Sequence, residues 1–372
     1  MLFRSIAVVQ PGSVEELQEV VRVATGLGMA IVARGGGASY TDGYLPTTPK
    51  SITIDTSRLN KIVEINEEDM FVTVESGVTW AEMAAALAEK NLRTPFWGPF
   101  SGLKATVGGS SSQNSLSMGT SAYGGSPESI LCYDIVLPSG EILKTGSSSM
   151  ENSSAFFRYY GPDLTGLFSG DSGALGVKAR ITLRLIKLPT HTLTSSFGFK
   201  DYASMSEGMA AAAREQSASS NWGLDPKLQQ GQLGRTTLSD AIKAAFAVLK
   251  TVRNPFEAII QLGKMAIAGK RFLTGFDYSA HFVVEGYSIA EVKSKLAQTR
   301  RAVGPYGTEI ANTIPTVLGA MPFMPLYPIL GPQGERWVPM HGFLSFSKMQ
   351  VFHDRLMQLY EENKEKMEAD FK

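Results

Sequence analysis

Cysteine is almost absent: Cys132 is the only one in 372 residues, which excludes an internal disulfide and any multi-cysteine zinc site. Net charge is absent as well. Thirty-five basic and 35 acidic residues cancel, so charge gives no reason to expect nucleic acid or an anionic membrane as partner, and a small-molecule ligand is the expectation. Long apolar runs are missing, none exceeding the six residues of Ala244 to Leu249, against the roughly 18 residues of a membrane span. The first residues, Met1 to Ile6, lack the basic and apolar regions of a signal peptide. A cytoplasmic protein without a transmembrane segment is expected. Histidine is scarce too, with four in the chain and none before His191.

What is present is glycine, 37 residues of it, in a chain that is 43% hydrophobic and 19% charged, an ordinary balance for a globular protein. The length predicts two domains. Ser13 and Glu16 have capping-box spacing ahead of a helix whose apolar face is Leu17, Val20, Val21, Ala24 and Leu27, with Gly28 ending it. A strand from Met29 to Ala33 runs into Arg34-Gly35-Gly36-Gly37-Ala38-Ser39, and a second strand covers Ser51 to Asp55. Ile62 to Ile65 and Met70 to Glu75 read as a hairpin, and Thr79 with Glu82 starts a helix over Trp80 to Lys90. Pro95 to Pro127 reads as a long Gly-, Ser- and Pro-rich loop, which in a compact domain is usually functional.

Further on, Ile130 to Leu137 and Glu141 to Thr145 predict a hairpin. Val177 to Leu185 alternates apolar residues with Lys178, Arg180, Thr182 and Arg184, as a half-buried strand would. After Lys187-Leu188-Pro189-Thr190 a new pattern begins: a strand over His191 to Phe199, a helix near Tyr202 to Glu215, a strand over Tyr278 to Glu285, and a helix capped by Ser288 and Glu291. Domains of 1–188 and 189–372 follow. Phe256 to Phe272 carries an apolar stripe beside Lys264, Lys270 and Arg271. It reads as core or subunit contact, which makes a homo-oligomer an expectation, ahead of a membrane-surface helix.

Consecutive backbone N–H groups bind anions only where the chain can approach without side-chain obstruction, which Gly35, Gly36 and Gly37 permit. A glycine triplet by itself is a weak signal. This one does not open a helix, so it is no Rossmann fingerprint. Two further segments follow in order. One is Ala105-Thr106-Val107-Gly108-Gly109-Ser110-Ser111-Ser112-Gln113-Asn114, trailed by Tyr123-Gly124. The other is Gly166 to Val177, containing Gly170-Asp171-Ser172-Gly173. The last four residues look like a trypsin-type nucleophile segment, but the histidine that would take the serine proton is missing upstream.

Taken together, the three segments resemble the FAD-binding domain of the p-cresol methylhydroxylase and vanillyl-alcohol oxidase superfamily, in particular the branch with glycolate oxidase and D-lactate dehydrogenase flavin subunits. The resemblance covers residues 5–188. It implies an α+β fold, with a two-subdomain FAD-binding domain followed by an α+β cap domain with an antiparallel sheet. It also implies that Gly35, Gly36, Gly37, Ala38 and Ser39 hold the pyrophosphate. Thr106, Gly108, Gly109, Ser112 and Asn114 would line the flavin and pyrophosphate with Tyr123 and Gly124 nearby, and Gly173, Gly176 and Val177 would meet the adenosine end. Caps of this superfamily are usually longer, so a C-terminally incomplete cap is expected.

The departures are informative. The first loop carries no histidine for a covalent flavin link, so FAD is expected to be noncovalent. The branch's Asn-Ala-Gly-Gly stretch is replaced by Asn114-Ser115-Leu116-Ser117, and its His-containing metal segment is missing, so no metal is expected. In the second domain, Arg336 and His341 lie in a Pro-, Trp- and Gly-flanked stretch resembling the cap segment that faces the flavin. His341 would accept the proton of a substrate hydroxyl, and Arg336 would hold a carboxylate. The expected reaction is hydride transfer from a hydroxyl-bearing carbon of a hydroxy acid or aryl alcohol to FAD, with oxygen, a quinone or a carrier protein as acceptor. The alternative is a catalytically weak FAD-binding or electron-transfer subunit of a larger oxidase complex.

Overall fold

The computed structural model describes residues 4–39, 43–226, 275–320, 323 and 342–370. Arg336, His341 and the stripe from Phe256 to Phe272 lie outside the described residues. The chain divides into two units that meet in sequence between Leu188 and Pro189.

The first unit opens with strand β1 (Ala7–Val9), helix α1 (Val14–Gly26) and strands β2 (Ala30–Arg34) and β3 (Ser51–Asp55). Ser13 caps α1 by accepting the Glu16 N–H at 3.2 Å, and Gly28 leaves it in the left-handed region at φ +61°. The strands form a parallel sheet in the order β1-β3-β2, covered by Leu17, Val21 and Ala24 of α1. Strand β1 was not foreseen, being only three residues and mostly exposed.

The second sheet of this unit is built from β4 (Ile62–Asn66), β5 (Phe71–Glu75), β7 (Ile130–Val136), β8 (Ile142–Lys144) and β9 (Val177–Arg184). Its order is β4-β5-β9-β7-β8, antiparallel throughout. Between β5 and β7 come α2 (Trp80–Glu89), the two-residue strand β6 (Leu92–Arg93), which pairs antiparallel with β10 (Ile186–Lys187), α3 (Val107–Ser112) and α4 (Thr120–Tyr123). Thr79 and Glu82 close a complete capping box on α2. Trp80, Phe96, Val107, Tyr133 and Ile181 fill the core beneath the sheet, and Phe323 packs back against it.

Strand β9 departs from the expected half-buried alternation. It is central in its sheet, and Lys178 and Thr182 are buried along with the apolar positions. The stretch expected as one long loop also contains two short helices. α3 forms despite its Gly- and Ser-rich sequence because Thr106 caps it, its Oγ1 accepting the Gly109 N–H at 3.2 Å.

The second unit contains β11 (His191–Phe199), α6 (Tyr202–Glu215), β12 (Ser220–Leu224), β13 (Tyr278–Gly286), α7 (Ile289–Val303), β14 (Thr308–Ile310) and a C-terminal helix α9 (Phe346–Glu362); α5 (Leu164–Leu167) belongs to the first unit and α8 (Thr313–Ala320) to the second. The strands form an antiparallel sheet in the order β12-β13-β11-β14. Phe197, Phe199, Ala280, Phe282 and Val284 pack against Met205 and Ala212 of α6 and Val292, Leu296 and Val303 of α7. The α+β class and the antiparallel sheet in the second half agree with the fold expected from sequence. Among the described residues no helix is long and apolar enough to cross a membrane.

Candidate functional site

The three glycine-rich segments, far apart in sequence, meet within the first unit. The first leaves β2 and turns directly against the second. A Cβ on Gly35 would run into the Thr106 hydroxyl, and one on Gly36 into the Lys104 carbonyl oxygen. Gly37 adds a left-handed φ of +64°. Here glycine is required by close approach of two chain segments and by backbone conformation together. Among the described residues, no protein acceptor takes the backbone N–H groups of Gly36, Gly37 or Ala38. The loop is steadied from below by Arg34, whose guanidinium lies 3.4 Å from the Asp55 carboxylate and 5.7 Å from the Tyr44 ring centroid.

The second segment is anchored by Gly108. Its N–H donates to the Ser76 carbonyl at 3.0 Å, and a Cβ there would sit 2.7 Å from that of Ser76. Thr106 and Gly109 occupy the start of α3, Ser112 its last turn, and Asn114 follows in the left-handed region at φ +52°.

The third segment pairs with the end of α3. Gly170 N–H donates to Ser111 O at 2.9 Å and Ser172 N–H to Ser112 O at 2.8 Å. Gly170, Ser172 and Gly173 all have left-handed φ values, +71°, +53° and +77°. Gly173 faces the end of β2, where its nearest neighbour is the Ala33 Cβ at 3.7 Å from a would-be Cβ. Gly176 packs on Ile135 and Val136 of β7, and Val177 opens β9. Tyr123 and Gly124 end α4, with the Arg93 guanidinium 5.8 Å from the Tyr123 ring.

Beneath the third segment lies a pair that sequence reasoning missed. Lys178 Nζ is 2.6 Å from Asp171 Oδ1, and both side chains are buried. The ammonium also sits 5.5 Å from the Tyr133 ring, whose hydroxyl is 3.1 Å from Ser169 Oγ. Burial pulls the Lys178 amine below its ordinary value while Asp171 opposes the shift. Burial also pushes the Tyr133 phenol up to about 12. Glycine-adjacent Asp171 was visible in the sequence, but its partner reads there as a solvent-facing strand residue.

Chemically, this is a loop whose Gly36, Gly37 and Ala38 N–H groups have no protein acceptor among the described residues, beside serine and threonine hydroxyls, a donor set suited to a pyrophosphate. The comparison with known families agrees: residues 5–146 match the family model described as an FAD binding domain. Two curated relatives are similar over about half of the chain. The mitochondrial D-lactate dehydrogenase [cytochrome] of Arabidopsis thaliana is 31% identical over 192 residues, 52% of this chain and 32% of that protein. The glycolate oxidase subunit GlcD of Bacillus subtilis (strain 168) is 29% identical over 183 residues, 49% of this chain and 37% of that protein. The matched part is thus about a third of the length of these relatives. Among solved structures, p-cresol methylhydroxylase with substrate bound superposes with a TM-score of 0.66 at 18% identity, covering 91% of this chain and 63% of that one, and so shares the fold.

The remaining histidines are placed by the second unit. His281, in the middle of β13, is fully buried, with Nδ1 2.8 Å from Ser196 Oγ and Nε2 3.1 Å from Ser279 Oγ. Burial pushes it down to about 3, so it is neutral. His353 stacks on Tyr202 with ring centroids 3.9 Å apart, and His191 Nδ1 lies 2.9 Å from Thr190 Oγ1. No group of three or more His, Cys, Asp or Glu suited to a metal occurs among the described residues.

Proposed function

We propose that this chain is an FAD-dependent oxidoreductase acting on a CH–OH group, with a hydroxy acid as the favoured substrate class and FAD bound noncovalently. The observation that carries the reading is the convergence of three glycine-rich segments on one donor-lined surface of an FAD-binding domain. The substrate class rests on the names of the two relatives, which act on lactate and glycolate.

In this reading the Gly35 to Ser39 loop donates its N–H groups to the pyrophosphate. Thr106, Gly108, Gly109, Ser112 and Asn114 line the adjoining stretch beside Tyr123 and Gly124, and Gly173, Gly176 and Val177 meet the adenosine end with backbone groups. FAD, when bound, supplies the hydride-accepting chemistry. Arg336 orients the substrate carboxylate and His341 takes the hydroxyl proton, a role that suits an imidazole because its ordinary pKa lies near neutrality. Oxygen, a quinone or a carrier protein takes the electrons onward.

The test is an anaerobic screen of the FAD-loaded protein against lactate, glycolate, 2-hydroxyglutarate and aromatic alcohols, followed by flavin absorbance. Bleaching by a hydroxy acid, lost in His341→Gln, supports the reading. Bound FAD that no compound bleaches would replace it with the electron-transfer subunit, and a protein that remains colourless after FAD addition would remove both.

A further inference from the structure

The buried Asp171–Lys178 pair has no part in the function proposed so far, yet it sits under the third glycine segment. Asp171 organises that turn. The Oδ1 that meets Lys178 also accepts the Gly173 N–H at 3.0 Å, and the Asp171 carbonyl accepts the Ala174 N–H at 2.9 Å. The turn needs such a brace because Ser172, a residue with a Cβ, is held at φ +53°, a left-handed conformation that is unfavourable for a residue other than glycine. The braced turn is also the piece that hydrogen-bonds to α3 through Gly170 and Ser172 and faces Ala33 through Gly173.

Asp171 can play this part as a carboxylate only with a cation beside it, since its side chain is 2% exposed and an unpaired charge there is strongly disfavoured. Lys178 is that cation, fixed at the start of the central strand β9 and flanked by the Tyr133 ring. A single chain of contacts therefore runs from β9 through Lys178 and Asp171 to the Gly173 N–H.

We propose that Lys178 is a positioning residue for FAD: without touching the cofactor, its ammonium holds the Asp171 side chain in place and so fixes the Gly170 to Gly176 turn in the shape that receives the adenosine end. The proposal rests on the FAD site described above, and the test separates the two. The readout is FAD affinity of the deflavinated full chain, measured by quenching of flavin fluorescence well below the unfolding temperature.

Lys178→Met is expected to weaken FAD binding about tenfold or more, the scale on which groups that orient direct ligands act. Asp171→Asn combined with Lys178→Met removes both charges while an amide oxygen can still accept from Gly173, and it is expected to regain most of the lost affinity. A role confined to stability predicts lower melting temperatures for both variants with affinity unchanged. Affinity of a folded Lys178→Met variant within twofold of the parent overturns the proposal. If that variant does not fold, Lys178→Gln, which keeps a hydrogen-bond donor for Asp171 but no charge, is read by the same criterion: a tenfold loss of FAD affinity supports the proposal, and affinity within twofold of the parent overturns it. Failure of the parent chain to bind FAD removes the site itself.

Discussion

Each unit buries an ionisable side chain in the middle of a sheet, and the two neutralise it in opposite ways. In the first, Lys178 is paired with the Asp171 carboxylate at 2.6 Å. In the second, His281 gives up its charge, with serine hydroxyls against both ring nitrogens and a pKa pushed down to about 3. An ion pair demands a counter-charge held in place by its own backbone contacts, as the Gly170 to Gly176 turn holds Asp171. A neutral imidazole needs only hydroxyls, which neighbouring strand positions supply. The charged solution thus ties a loop to a strand and the neutral one stays within its sheet.

The sharpest consequence concerns acid. The folded pKa of His281 lies below its unfolded value near 6.5, so the unfolded chain takes up the proton first. The stability of the second unit is fully present above pH 6.5 and falls as the pH drops toward 3, by roughly 5 kcal/mol over the whole interval at ~1.4 kcal/mol per unit. Trp222 lies 5.7 Å from the His281 ring, so its emission during denaturant unfolding reports on this unit. A His281→Gln variant is expected to be less stable at neutral pH and to lose most of this acid dependence. An unchanged acid slope in the variant would break the contrast between the units.

Removing one partner should separate the two solutions next. Lys178→Met leaves a buried carboxylate unpaired and is expected to cost roughly 3–5 kcal/mol in chemical denaturation. Ser196→Ala removes one hydroxyl from a neutral histidine and should cost about 1–2 kcal/mol. Equal losses would contradict the distinction.

The smallest pH-dependent effect is alkaline and belongs to the first unit. Tyr133, raised to about 12, stays protonated in the folded chain while the unfolded tyrosine ionises near 10. Its contribution is complete below pH 10 and is lost as the pH rises toward 12, about 2–3 kcal/mol in all. Tyr133→Phe should flatten that part of the stability profile relative to the parent.

The sequence made local features legible and hid those set by distant partners. Ser13 with Glu16 and Thr79 with Glu82 announce their helices because a cap and the residue it serves are three apart. The glycine segments were visible, and so was the strand holding His281. Why Gly35 and Gly36 must be glycine was not, since the atoms that crowd them belong to Lys104 and Thr106, some 70 positions away. Helix α3 escaped notice because Gly and Ser are poor helix formers and its support comes from Thr106 and the Ser76 carbonyl. The burial of Lys178 escaped for a related reason: alternation shows which way a side chain points, but not that a glycine turn will fold over it.

Titration of the deflavinated parent chain and of Gly36→Ala with FAD, followed by flavin fluorescence and absorbance, tests the central claim most directly. A Cβ at Gly36 would collide with the Lys104 carbonyl and part the first two segments. The account predicts that the parent takes up one FAD per chain and that Gly36→Ala, while still folded, loses most of its affinity. Equal FAD binding by the two proteins would contradict it.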